Sequence, residues 1–158
     1  MMVDQMMMPV PVAAAQHESG SRLVVTWWSS PDGLRFPRGV RDSELGFDCS
    51  MVRIDGTIRC VPQLFGIVHY GDPECRLPVV QLSGTGSNTL LTENNGYATG
   101  ILDAVGGEYA VYELRDPVTV SVFTLSSGEC IELSELSNTF ATRAVDAASL
   151  ASLEIVLD

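Results

Sequence analysis

"DCSMVRIDGTIRC", residues 48–60, sets Asp55-Gly56 between two stretches that alternate apolar and polar residues, with a cysteine near each end. A two-residue hairpin loop needs positive φ at its central positions, and Asp-Gly supplies that more readily than almost any other pair. The stretch therefore reads as two antiparallel strands, "SMVRI" and "TIRCV". Cys49 and Cys60 on its arms are a staple, a metal clip or part of a reactive site.

The other cysteines narrow that choice. Cys75 and Cys130 complete a set of four, and no two of them lie closer than 11 residues. Structural zinc sites gather cysteine pairs about two to four residues apart, so a zinc ribbon is disfavoured. No Cys-x-x-Cys redox pair is present either. Two disulfides or four free thiols remain. The even number and the acidic, lysine-free composition favour disulfides, and the pairing expected is Cys49 with Cys60 and Cys75 with Cys130, because the first pair is local to one hairpin. A tight Asp55-Gly56 loop would place Ile54 opposite Thr57 and Met51 opposite Cys60, leaving Cys49 two residues away. A longer loop or a bulge is thus expected to bring the sulfurs together. Closing such a loop is worth roughly 3 kcal/mol in the chain-entropy account.

Working outward, the same punctuation recurs. "RLVVTWW", "SSPDG" and "LRF" read as strand, turn and strand; "FGIVHY", "GDPE" and "CRLPVV" do so again. "EYAVYEL" and "VTVSVFTL" flank "RDP", and "SSGE" leads into "CIEL". These runs are rich in Val, Ile, Thr, Tyr and Phe and are broken by Gly, Pro, Asp and Ser, which is strand and turn chemistry. "SGTGSNTLLTENNGYATG" reads as a long loop with at most a short strand at Thr89–Thr92. "VDAASLASLE" is the one helical candidate, with Asp146 as N-cap. The tail "EIVLD" returns to strand composition, and pairing with "RLVVTWW" would close the sheet and protect its edges. The expected class is all-β: an antiparallel hairpin meander forming a sandwich, barrel or small propeller-like domain, with at most one short C-terminal helix.

Composition bounds the function. With 158 residues, 46% apolar and 18% charged, the chain can build one cored domain, and disorder over most of it is excluded. The expected division is a flexible leader or degenerate signal remnant at 1–20, where Ala13-Ala14-Ala15 resembles a cleavage region, followed by a single disulfide-stabilised β domain at 21–158. All nine basic residues are arginine, which excludes a phosphate-loop lysine, a Schiff-base lysine and a Ser-Lys dyad. The net charge of −11 repels a nucleic-acid backbone through the average field, and acidic partners are disfavoured. No apolar run approaches the ~20 residues needed for a transmembrane helix.

The runs "SRLVVTWWSSPDGLRF", "DSELGFDC", "DGTIRCVP" and "HYGDPECRLPVV" resemble an uncharacterised family of surface proteins and lipoproteins from myxobacteria and related bacteria. In that family an aromatic strand leads to an Asp-Ser-x-x-Gly-x-x-Cys segment, an Asp-Gly hairpin ending Arg-Cys-x-Pro, and an aromatic-x-Asp-x-x-Cys-x-x-Pro hairpin. The likeness covers Ser21 to about Val80 and continues more weakly to the C-terminus. It implies export to the cell envelope or beyond and a disulfide-bearing β domain, and it implies no activity. The chain departs from it in having no lipoprotein cysteine near the N-terminus.

Candidate sites are few. Trp27 and Trp28 are adjacent, so on a strand they face opposite ways, and the outward one is a candidate platform for a sugar ring. Tyr70, Tyr97, Tyr109 and Tyr112 could extend such a platform, and Tyr70 is the one placed with the tryptophans as a candidate ligand-binding residue. His69 is the sole histidine beyond the leader, so no multi-histidine metal site is expected, and a Ser-His-Asp triad would have to use it without a Gly-x-Ser-x-Gly context. Asp72 and Glu74 around Pro73 read as turn chemistry. No Asp-x-Asp-x-Asp-Gly calcium loop occurs. The expectation is a non-enzymatic structural or interaction module of the cell surface, without cofactor or metal, whose partner is a surface protein or glycan. Glycan binding through an exposed tryptophan is the alternative, and a small hydrolase the third reading.

Overall fold

The computed structural model describes residues 20–83, 87–102 and 107–154. The expected leader, apart from Gly20, lies outside them. The described residues form two compact units, divided between Gly46 and Phe47.

The first unit is a hairpin of β1 (Leu23–Ser29) and β2 (Arg35–Asp42). Its register runs from Leu23 opposite Asp42 to Ser29 opposite Arg35, with a bulge between Thr26 and Trp27. At its base Asp42 is fully buried. Its carboxylate accepts from Arg22 Nη2 at 2.9 Å and from the backbone N–H groups of Glu44 and Leu45 at 2.9 and 3.0 Å.

The second unit opens with β3 (Phe47–Ile54) and β4 (Thr57–Pro62), the hairpin expected from the sequence. Asp55 and Gly56 both have positive φ, 52° and 79°, as the tight primed turn requires. The register is Ile54 opposite Thr57 and Met51 opposite Cys60, with no bulge. Cys49 nevertheless bonds to Cys60, at a Cα separation of 4.9 Å. The expected longer loop or bulge is therefore unnecessary. An offset of two residues keeps both side chains on the same face, and strand twist can draw one diagonal of a pair together. Strand β12 (Ser152–Leu153) pairs with β4; the tail "EIVLD", apart from Glu154, lies outside the described residues.

Seven further strands make the larger sheet: β5 (Phe65–Tyr70), β6 (Pro78–Leu82), β7 (Tyr97–Ile101), β8 (Tyr109–Pro117), β9 (Ser121–Ser126), β10 (Glu129–Glu135) and β11 (Thr139–Ala144). Strands β5, β6, β11, β8 and β7 are joined in that order by antiparallel pairs, and β7 then pairs with β5 in parallel. That last pairing closes a five-stranded barrel. A ring with an odd number of strands cannot alternate direction all the way round, so a parallel pair is obligatory. The crossover it requires is supplied by β6 and a short helix, α1 (Ser87–Glu93). This helix falls in the expected loop and replaces the strand anticipated at Thr89–Thr92. In place of the expected helix the "VDAASLASLE" segment forms a 3-10 turn at Ala147–Ser149 followed by β12; the turn is capped by Asp146 as expected, its side chain accepting from Ala148 N at 3.0 Å.

The chain is all-β, as the punctuation implied, and of the forms expected the second unit takes that of a small barrel. The β3–β4 hairpin lies against it: Phe47 meets Tyr97 edge-on at 5.6 Å, and Thr99 Oγ1 donates to Pro62 O at 2.8 Å. A five-stranded barrel has a narrow interior. Leu64, Val68, Val80, Leu82, Ala98 and Tyr112 belong to the cluster that fills it, and the closing seam carries glycine on both sides, Gly66 opposite Gly100. A Cβ at Gly100 would lie 2.6 Å from Val68 Cγ2 and 2.8 Å from Tyr112 Cε2; one at Gly66 would lie 2.7 Å from Gln81 O.

The β9–β10 hairpin, turned by Ser127 and Gly128 at φ 51° and 83°, meets the barrel at one bridged pair, Tyr70 with Phe123. Cys130 on β10 bonds to Cys75 in the β5–β6 connection, so the second disulfide ties this hairpin to the barrel. The bridges span 11 and 55 residues, which corresponds to roughly 3 and roughly 4 kcal/mol of unfolded-state constraint respectively. Replacing Cys75 and Cys130 together by serine is expected to lower the urea midpoint more than replacing Cys49 and Cys60. Equal midpoints for wild type and both double variants would show the bridges to be energetically idle.

Candidate binding surface

The distal half of the first-unit hairpin has two unlike faces. Trp28 and Phe36 are direct cross-strand partners and are 54% and 50% exposed. Leu34, two residues before Phe36, is 59% exposed. Arg38 falls at the bulge and lays its guanidinium 5.4 Å from the Trp28 ring centre. Alternation thus places Leu34, Phe36 and Arg38 along β2 opposite Trp28 on one face. On the other face Trp27 pairs with Pro37, is half-buried, and carries the guanidinium of Arg35 4.2 Å above its ring.

The loop between the strands is held by its own side chains. Ser30 N donates to Leu34 O at 2.9 Å, Leu34 N donates to Ser30 Oγ at 3.1 Å, and Ser30 Oγ donates to Asp32. The Ser30 hydroxyl, with backbone N–H donors, holds the Asp32 carboxyl below its ordinary range. The anchored loop fixes the register, and the register aligns the two rings.

Tyr70 belongs to the second unit. It ends β5 and packs, partly buried, against the barrel core. Burial, with the nearby Tyr70, pushes the Tyr112 hydroxyl up. His69 Nε2 lies 3.2 Å from Gln81 Oε1, an amide rather than a nucleophile or carboxylate. Asp72 is turn chemistry, as expected: Arg76 N and Leu77 N each donate to its carboxylate at 2.8 Å, and these bonds hold it below the usual range. Among the described residues no three His, Cys, Asp or Glu side chains gather to hold a metal. A cavity of about 440 Å³ in the second unit has exposed Arg53, Asp55 and Glu108 and buried Val111 and Leu150 among its lining residues, a mixed set in which no nucleophile meets a base.

Phe36, Leu34, Arg35 and Arg38 were absent from the sequence-level site. "LRF" reads as an ordinary return strand, and only the register shows that Phe36 falls opposite Trp28. The available signal was the apolar-x-aromatic-x-basic alternation of "LRFPR" facing a tryptophan pair.

The hairpin's base rests on Asp42. Burial alone would raise its pKa, but the hydrogen bonds and charge of Arg22 and the N–H groups of Leu45 and Glu44 outweigh burial and hold it low. Arg22 moves up in return, chiefly through its bond to Asp42. A carboxylate depressed in the folded state contributes stability above its unfolded pKa of about 3.9, and the contribution is lost as pH falls through the folded value. The urea midpoint is therefore expected to fall as pH drops from about 5 toward 3. Asp42→Asn should lower the midpoint at neutral pH and flatten part of that slope, the remainder coming from groups such as Asp72. An unchanged slope would show that Asp42 is uncoupled from folding.

The comparisons with known proteins add family membership alone. No curated protein and no solved structure matches the chain. Residues 2–155 match the model of a family of unknown function, DUF7481, and the chain belongs to that family.

Proposed function

We propose that this chain is a non-enzymatic interaction module that works outside the cytoplasm, at the cell surface, and that its contact surface is the Trp28–Phe36 face of the β1–β2 hairpin. The observation that carries the reading is the cross-strand pairing of two half-exposed aromatic rings. Aromatic pairs on strands are ordinarily used to pack a core. Left open to solvent beside Leu34, they are an apolar patch of the kind that marks a contact site.

Location rests on chemistry. Two disulfides in a small domain suit an oxidising compartment, and among the described residues no helix is long and apolar enough to cross a membrane. The surface character implied by the family resemblance fits the same setting. Catalysis is disfavoured by the bonding of His69 to Gln81 and by the lack of a nucleophile-base pair in the cavity lining.

A glycan is the partner favoured by the two rings, because flat, rigid aromatic faces cover the C–H faces of sugar rings with little entropy to lose. Titration with a panel of envelope polysaccharide fragments should shift and partly quench tryptophan emission. Trp28→Ala and Phe36→Ala should each weaken the response about tenfold or more, without changing the unfolding free energy by more than the ~0.5 kcal/mol usual for surface changes. A silent panel would remove the glycan and leave a protein partner for this face. A response unchanged in both variants would remove the face itself.

A further inference from the structure

We propose that the outer edge of β10 is a second contact surface, which takes an extended, basic segment of a partner protein as an added strand. This surface lies within the second unit and is independent of the Trp28–Phe36 face.

Strand β10 ends the seven-stranded sheet: β9 covers one of its edges and, among the described residues, no strand pairs with the other. The hairpin turn decides which backbone groups that edge presents. Ser127 and Gly128 both have positive φ, and Ser126 stands opposite Glu129, so these two form the first hydrogen-bonded pair beside a two-residue primed loop. Bonded and non-bonded pairs alternate along an antiparallel ladder. Glu129, Ile131 and Leu133 therefore bond to β9, and the N–H and C=O groups of Cys130 and Glu132 point away from it. Those are the groups an added strand would meet. The ladder is regular from Glu129 to Leu133, and the Cys75–Cys130 bridge pins the same stretch to the barrel. An edge held in this way has little freedom left to lose on binding.

The side chains select the partner. Residues 118–135 hold three acids, Glu129, Glu132 and Glu135, and no arginine. All three lie exposed on β10. Ile131, between the first two, is 44% exposed. A second copy of the chain is disfavoured here, because pairing β10 with β10 would set glutamates beside glutamates, and like charges across a strand pair are destabilising. Charged edges serve against self-pairing for that reason. The same charges admit a strand of opposite sign, and complementary charge adds specificity to a ladder that is itself indifferent to sequence. Neighbouring residues on a strand face opposite ways, so Glu132 and Ile131 address opposite faces of the incoming segment. A segment alternating basic and apolar residues satisfies both at once.

The test uses the full, disulfide-intact chain and short fluorescein-labelled peptides that alternate valine with lysine, threonine or glutamate. Anisotropy reads binding, and amide hydrogen exchange reads where the peptide sits. The lysine peptide should bind about tenfold or more tightly than the threonine peptide, and should lose most of that margin near 1 M salt, where screening acts within about 3 Å. It should also slow exchange at the Cys130 and Glu132 amides about tenfold or more. Glu132→Pro removes an N–H that β9 does not use, a change an edge strand tolerates, and should abolish binding. Glu132→Gln should shrink the margin of the lysine peptide while sparing the threonine peptide, and serves as the second variant if the proline variant fails to fold. Equal binding of all three peptides would overturn the selection of a basic partner. Binding that leaves exchange at Cys130 and Glu132 unchanged would overturn strand addition and reduce the effect to diffuse charge. No binding of the lysine peptide would overturn the proposal as a whole and leave the hairpin-face reading standing.

Discussion

The parallel pairing of β5 with β7 is the constraint on which the second unit depends. It joins Phe65, Gly66 and Ile67 to Thr99, Gly100 and Ile101 and turns an open sheet into a ring. Closure removes the exposed edges that β5 and β7 would otherwise present. It also dictates composition at the seam: the interior is narrow, Val68, Val80 and Tyr112 fill it, and Gly66 and Gly100 have no room for a side chain. Buried Thr99 completes the join, since its amide donates to Leu64 O at 2.8 Å and its hydroxyl to Pro62 O at 2.8 Å. The same residue thereby connects the barrel wall to the end of the β3–β4 hairpin.

Around this ring the two disulfides do different work. Cys49–Cys60 reinforces a hairpin that its turn already determines, and sits buried between the strands. Cys75–Cys130 holds a hairpin that shares only one bridged pair with the barrel. The first is a local staple and the second a tether, although both are intrachain bridges in the same unit. In the first unit the corresponding anchor is electrostatic: Asp42, buried, with Arg22 and two backbone donors.

What could be read from sequence was whatever local chemistry decides. Asp55-Gly56 forms its turn because those two residues tolerate positive φ, and Asp146 caps its turn because a carboxylate can reach the N–H two residues on. Tyr97–Gly100 reads as loop because "ATG" is small and glycine-bearing, and those properties are set by barrel closure, which no window of sequence reports. Helix α1 was missed for a related reason: "SNTLLTE" is short, has no acidic residue in its first turn and no basic residue in its last, and serves to carry the chain from β6 to β7. The candidate surface was half legible. The tryptophan pair announced itself, whereas Phe36 and Arg38 join it only through a register fixed by the Ser30–Leu34 loop and a bulge.

The account's central claim is that the ring is closed, and native-state amide hydrogen exchange across the β5–β7 seam tests it most directly. In a closed barrel β7 cannot leave while β8 stays, so the Thr99 amide should exchange only by global unfolding. Its exchange free energy should equal that of an amide bonded elsewhere in the ring, such as Leu82 at the end of β6, which donates to Asn138 O at 2.8 Å. Exchange at Thr99 several kcal/mol easier than at Leu82, within the ~5–15 kcal/mol range of whole-domain stability, would mean that β7 opens as a free edge, and would contradict the closed barrel.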